Sequence, residues 1–129
     1  MAKAGLTLDS GALIAFEKQS ARMVAIFKTA LTDGAVMTVP TAVLAQVHRG
    51  NSPLIARMLQ ACELEDLTAS LARRVGKLLG DSGTSDIVDG AVVVSAAPRG
   101  DRIITSDPDD IDRLLQAHAV NHSCAVVPV

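Results

Sequence analysis

Asp86 and Asp89 stand three residues apart at the head of GTSDIVDGAVVV, residues 83–94, a run that is otherwise small and apolar. Two more acids hold comparable places. Asp9 follows the short stretch Leu6–Thr7–Leu8, and Asp107 follows Arg102–Ile103–Ile104–Thr105 after one intervening serine, Ser106. Residues three apart on a helix share a face, with Cβ atoms about 5–6 Å apart. Carboxylates gathered that closely repel one another and tend to take up protons. A hard divalent cation removes the conflict: Mg²⁺ prefers oxygen ligands, keeps several waters and uses one or two carboxylates directly. There it orients a phosphodiester, lowers the pKa of a water and stabilises the leaving oxygen. A plainer reading stands beside this one. Asp is a favoured helix N-cap, and acids in a first turn complement the helix dipole. Asp86-x-x-Asp89 resembles a capping box, Asp107–Pro108–Asp109–Asp110 is a strong helix start, and Asp9 before Ser10–Gly11 suits a turn.

The elements that must position these acids alternate along the chain. Leu6–Leu8 reads as a strand, followed by a short helix from Gly11 to Phe16 and an amphipathic one from Ser20 to Leu31. Asp33–Gly34 is a stop signal, and 36–40 (VMTVP) a buried strand. Helices are predicted from Thr41 to Arg49 and from Pro53 to Ala61, then a strand over 62–67. A helix through Leu79 is expected to end at Gly80, and the Asp86–Asp89 helix before Pro98. Arg102–Thr105 is a strand, Asp107 to His118 a helix, and Cys124–Val127 a last strand. This alternation predicts a parallel sheet with helices on both faces, where ligands bind beyond the carboxyl ends of the strands.

Composition narrows the rest. The chain has 129 residues, 49% hydrophobic, with no Trp or Tyr and two Phe. It is read as a single domain, 1–129, whose core is built from Ala, Val, Leu and Ile. Net charge is −2, so the whole molecule exerts no strong pull on nucleic acid. Without Tyr or Trp there is no aromatic platform for stacking bases. Cys62 and Cys124 form no CxxC pair, no apolar run approaches the ~20 residues of a membrane span, and MAKAGLTLDS lacks a secretory h-region. A cytoplasmic protein with reduced thiols and no membrane contact is expected.

LTLDSGALIAF, VPTAVLAQVHRG, GTSDIVDGAVVVSAA and IITSDPDDIDRL resemble, in order and over nearly the whole chain, the successive motifs of the PIN domain family. The closest likeness is to the VapC-type toxins of bacterial toxin–antitoxin pairs. That resemblance implies a three-layer α/β/α sandwich around a central parallel sheet and a Mg²⁺- or Mn²⁺-dependent ribonuclease. It further implies a homodimer and an antitoxin partner. The family's acids fall on Asp9, Asp89 and Asp107, which would hold the metal and leave 5′-phosphate and 3′-hydroxyl ends on the RNA substrate. The family usually carries Glu where this chain has Gln46. Asp86 is expected to supply the missing charge, and the alternative is a catalytically weak or inactive scaffold that binds RNA or protein. Gln46, which can coordinate or hydrogen-bond but brings no charge, Thr105 and Ser106 are supporting candidates; the two hydroxyls either position an acid or a phosphate oxygen or serve as turn and cap residues. A receiver-like phosphoacceptor ranks last, because the late segments offer Thr105–Ser106–Asp107 and no Lys.

Other polar residues have ordinary readings. Glu17 suits a helix end, and His48, His118 and His122 have no metal-ligand spacing. Arg49, Arg73, Arg74, Lys77, Arg99 and Arg102 are candidate phosphate contacts around an acidic centre, with a solvated helix face as the ordinary reading of Arg73, Arg74 and Lys77. The stripe Met23, Ile26, Phe27 and Leu31 serves either core or interface.

Overall fold

In a computed structural model, residues 4–118 and 122–129 are described, so residues 1–3, the start of the segment read for a leader, lie outside them. Five strands form one parallel sheet: β1 (Leu6–Leu8), β2 (Met37–Pro40), β3 (Glu63–Glu65), β4 (Arg102–Thr105) and β5 (Val126–Pro128). Their order is β3-β2-β1-β4-β5. β1 and β2 are buried along their whole length and β4 along three of its four residues, whereas the edge strand β3 is largely exposed. Strands covered on both faces have no reason to alternate apolar with polar, which explains the adjacent buried Ile103 and Ile104 of β4 and the burial of Thr7 between Leu6 and Leu8.

The helices are α1 (Ser10–Glu17), α2 (Ala21–Asp33), α3 (Thr41–Val47), α4 (Pro53–Leu59), α5 (Ala69–Ser82), α6 (Ile87–Ala96) and α7 (Pro108–Ala117). α1 packs with α2 and α4, while α5, α6 and α7 pack together; α3 touches both α1 and α6. The chain moves outward from β1 to β3 and then returns to β4, so right-handed crossovers place the two helix groups on opposite faces. The three-layer α/β/α sandwich is therefore the architecture this chain adopts.

α6 lies against β1, β2 and β4 and is buried at every residue from Gly90 to Ala96. A helix buried all round needs small apolar residues on all sides, which is what GAVVVSA supplies. A Cβ added to Gly90 would lie 2.9 Å from Val75 Cγ1, so glycine lets α5 and α6 approach. Met23 is fully buried and Phe27 meets Phe16 edge to face at 4.8 Å, but Leu31 is 51% exposed. The predicted stripe is thus core at one end only.

Some boundaries differ from expectation. α5 runs past Gly80 to Ser82 and ends at Gly83, whose φ of 71° provides the left-handed cap. The strand expected over 62–67 contracts to Glu63–Glu65, and the last strand shifts to Val126–Pro128. Cys62 and Cys124 precede β3 and β5, the opposite edges of the sheet, so about 19 Å of sheet separates them. They are free thiols, and burial pushes Cys62 up to about 11.

A polar strap, buried at Thr7, Ser95 and Asp101 but partly exposed at Arg99 and Glu65, crosses the sheet. Thr7 Oγ1 donates to Asp101 Oδ2 at 2.8 Å, and Arg99 donates to Asp101, Glu65, Ser95 and Thr7 at 2.9–3.2 Å. Arg99 is committed to this framework and not to a phosphate. Lys77 pairs with Asp81 at 2.9 Å, and Arg49, Arg73, Arg74 and Arg102 are exposed.

Candidate functional site

Strand order reverses at β1, so the crevice of this sheet opens where β1 and its neighbour β4 end. Asp9 follows β1 directly, and its N–H donates to the Ile104 carbonyl of β4 at 3.2 Å. Its carboxylate is buried and caps α1 by accepting from Ala12 N at 2.8 Å. Burial raises the pKa of Asp9, while the nearby Thr105 hydroxyl, the Ala12 bond and the Ser106 N–H pull it down; the Asp107 charge pushes it up again.

Thr105 links two of the acids. It is fully buried at the end of β4, faces the Asp9 carboxylate, and accepts from Asp107 N at 2.8 Å through Oγ1. Ser106 is exposed, and its side chain lies so close to Gly11 that a Cβ there would overlap it. Gly11 thus lets the start of α1 sit against the turn after β4. Asp107 holds the N-cap position of α7 but its carboxylate forms no capping bond. It is exposed toward solvent, unlike Asp9.

Asp86 caps α6, its Oδ1 accepting from Asp89 N at 3.0 Å. Asp89 lies in the first turn and is half-buried. Its pKa is pushed up to about 7, first by burial and then by the charges of Asp86, Asp107, Asp9 and Asp110. Capping therefore accounts for Asp9 and Asp86 in part, and for neither Asp89 nor Asp107. Asp86, Asp107 and Asp9 all act electrostatically on Asp89, and Asp107 acts on Asp9.

Two residues of α7 extend the cluster and were not singled out from sequence as site residues. Asp110 and Arg113 face Ser85, Asp86 and Asp89 across an open groove of about 230 Å³ between α6 and α7. The signal for them was slight: Asp110 is three residues beyond Asp107, one helical turn. Gln46 is exposed near the end of α3 and forms no hydrogen bond to any of the acids among the described residues. Glu17 is the last residue of α1, about 12 Å along the helix from Asp9. His48 is exposed after α3, His118 ends α7, and His122 Nδ1 accepts from Cys124 N at 3.2 Å.

Among the described residues no three His, Cys, Asp or Glu side chains stand together in a preformed metal-binding group. The donor chemistry nevertheless fits a hard divalent cation. It is all carboxylate and hydroxyl oxygen, and burial together with crowded negative charge already drives Asp89 toward protonation. Such a cation keeps most of its waters and asks for only one or two direct carboxylates.

The sheet order and layering define a PIN-like α/β/α sandwich. A chain of the DNA-bound VapBC complex from Salmonella typhimurium matches 98% of this chain, over 98% of its own length, at TM-score 0.68 and 16% identity. A chain of VapBC2 from Rickettsia felis, bound to a DNA fragment from its promoter, matches 96% of this chain and 98% of its own, at TM-score 0.66 and 12% identity. PAE2754 from Pyrobaculum aerophilum matches 96% of this chain and 84% of its own, at TM-score 0.65 and 12% identity. No protein-family model and no curated protein matches the sequence.

Proposed function

We propose that this chain is a metal-dependent endoribonuclease and the toxin of a VapBC-type pair. The observation that carries the reading is Asp89, which burial and then the Asp86, Asp107, Asp9 and Asp110 charges push up to about 7 on a helix packed against β1 and β4, where the strand order reverses. The fold shared with chains of two VapBC complexes supports it. In this reading an antitoxin is the protein partner, RNA the substrate, and the cytoplasm the compartment. The chain acts as one domain and pairs with a second copy of itself.

Asp9, Asp89 and Asp107 would hold Mg²⁺ or Mn²⁺, with Asp86 replacing the charge that Gln46 lacks. When bound, such a cation supplies Lewis acidity for an in-line attack on a phosphodiester. The protein's own part is positioning. Ala12 N and Thr105 fix the Asp9 carboxylate, and the Thr105 bond to Asp107 N sets the start of α7 beside it. The Asp89 carboxylate accepts no hydrogen bond among the described residues, and its proton would pass to solvent water as a cation took its place. The products expected are 5′-phosphate and 3′-hydroxyl ends.

Calorimetry with Mn²⁺ on the wild type, Asp9→Asn and Asp89→Asn tests this. One saturable site lost in both variants, with RNA cleavage lost in parallel, is the expected result. Cyclic phosphate ends on the products would overturn the metal-dependent route. A second reading, a weak or inactive scaffold, is favoured by the absence of a preformed ligand group and by the uncharged Gln46. It predicts no specific Mn²⁺ site in the folded wild type.

A further inference from the structure

We infer that Arg113 is a phosphate-binding residue, and that the groove between α6 and α7 carries the RNA backbone next to the bond that is cut; this rests on the ribonuclease reading. Arg113 is the one cation lining a groove whose other charged walls are Asp86, Asp89 and Asp110. Asp109 and Asp110 precede it on α7 by four and three residues, the spacings at which helical ion pairs form. Yet among the described residues Arg113 is in no ion pair, and it is exposed on the groove wall. A guanidinium that declines two local carboxylates and faces the groove suits a planar, bidentate contact with a phosphate oxygen pair.

The groove also needs such a group. A polyanion entering beside four or five carboxylates is repelled at every phosphate that no cation reaches. A metal at the acids answers for the phosphate under attack. The neighbouring phosphate needs a fixed positive charge of its own, and Arg113 stands on the wall that such a strand would pass. Ser85, on the loop entering α6, offers a hydroxyl on the opposite side.

The test uses the full chain with Mn²⁺ and a fluorescent 2′-O-methyl oligoribonucleotide of mixed sequence, which resists cleavage. Anisotropy is read across a salt series for the wild type, Arg113→Ala, Arg113→Lys, and Lys28→Ala on α2 as a control outside the groove. Arg113→Ala is expected to weaken binding about tenfold and to lower the slope of log affinity against log salt by about 0.7, the share of one phosphate contact on a single strand. Arg113→Lys keeps the slope, Lys28→Ala changes neither quantity, and Mn²⁺ binding by calorimetry is no weaker in any variant. An Arg113→Ala slope equal to that of the wild type overturns the inference and leaves the ribonuclease reading standing. So does an affinity loss that merely tracks lost Mn²⁺. A wild type that binds neither Mn²⁺ nor the oligonucleotide overturns both.

Discussion

Asp89 makes the unbound protein sensitive to pH. Its folded pKa of about 7 lies above the ordinary 3.8, because burial and then the Asp86, Asp107, Asp9 and Asp110 charges oppose ionisation. The stability that follows from this is fully present below about pH 4 and is lost as pH rises through about 7. Thermal melts in chelator should therefore show a lower Tm at about pH 8 than at about pH 5, by a few degrees. Asp89→Asn should flatten that dependence and raise the Tm at the alkaline end. Under the proposed metal binding, Mn²⁺ affinity should climb with pH up to about 7 and level off above it, since Asp89 would first have to lose its proton. A wild-type Tm independent of pH would contradict the crowding of these acids. Asp86 separates charge from capping. Asn caps helices as well as Asp, whereas Ala costs about 1 kcal/mol. Asp86→Asn should keep the Tm and weaken Mn²⁺ binding; Asp86→Ala should lower both. Unchanged Mn²⁺ affinity in Asp86→Asn would leave Asp86 as a cap alone.

At the scale of elements, α6 carries the constraint. Its small residues let it pack against β1 and β4, and at Gly90 it lies close against Val75 and Leu79 of α5. Gly90→Ala gains helix propensity but places a methyl at 2.9 Å from Val75 Cγ1 and 3.2 Å from Leu79 Cδ2. Overpacking should prevail, at a net cost of about 1–2 kcal/mol in denaturant unfolding. The helix and its acids were legible from sequence because continuous apolar runs and capping residues are local signals. So were Leu6–Leu8 and Arg102–Thr105 as strands, although the burial of Thr7 and Thr105 shows only in the structure. The stop of α5 was misplaced because either Gly80 or Gly83 can end a helix, and only the backbone chooses the left-handed one. The α6–α7 groove was not legible at all. Asp110 and Arg113 meet Asp86 and Asp89 only through packing, and on α7 alone they read as a solvated helix face. The standing of Gln46 was equally hidden, since its exposure depends on how α3 lies across α1 and α6.

Across the whole molecule, the Arg99 strap joins α6, β1, the β3 edge and the turn before β4. Asp101 is buried beneath it, so Arg99→Ala leaves a carboxylate without its cation in a poorly solvated place. A loss of about 2–3 kcal/mol is expected, measured by urea unfolding, and Arg99→Lys should recover little because it cannot reach four partners. A loss within 0.5 kcal/mol would mean that the strap is ornamental; that threshold is roughly the scatter of surface substitutions. The pairing of β1 with β4 has a temporal meaning as well. Thr7 and Asp101, bonded across that junction, are 94 residues apart in sequence. Contacts of such separation form late, because the loop they close must first surrender its freedom. Asp9 and Asp107 flank the same junction, so the acids do not meet until the long-range half of folding is complete. Under the proposed ribonuclease activity, a chain emerging from the ribosome beside RNA would stay harmless until its sheet has closed.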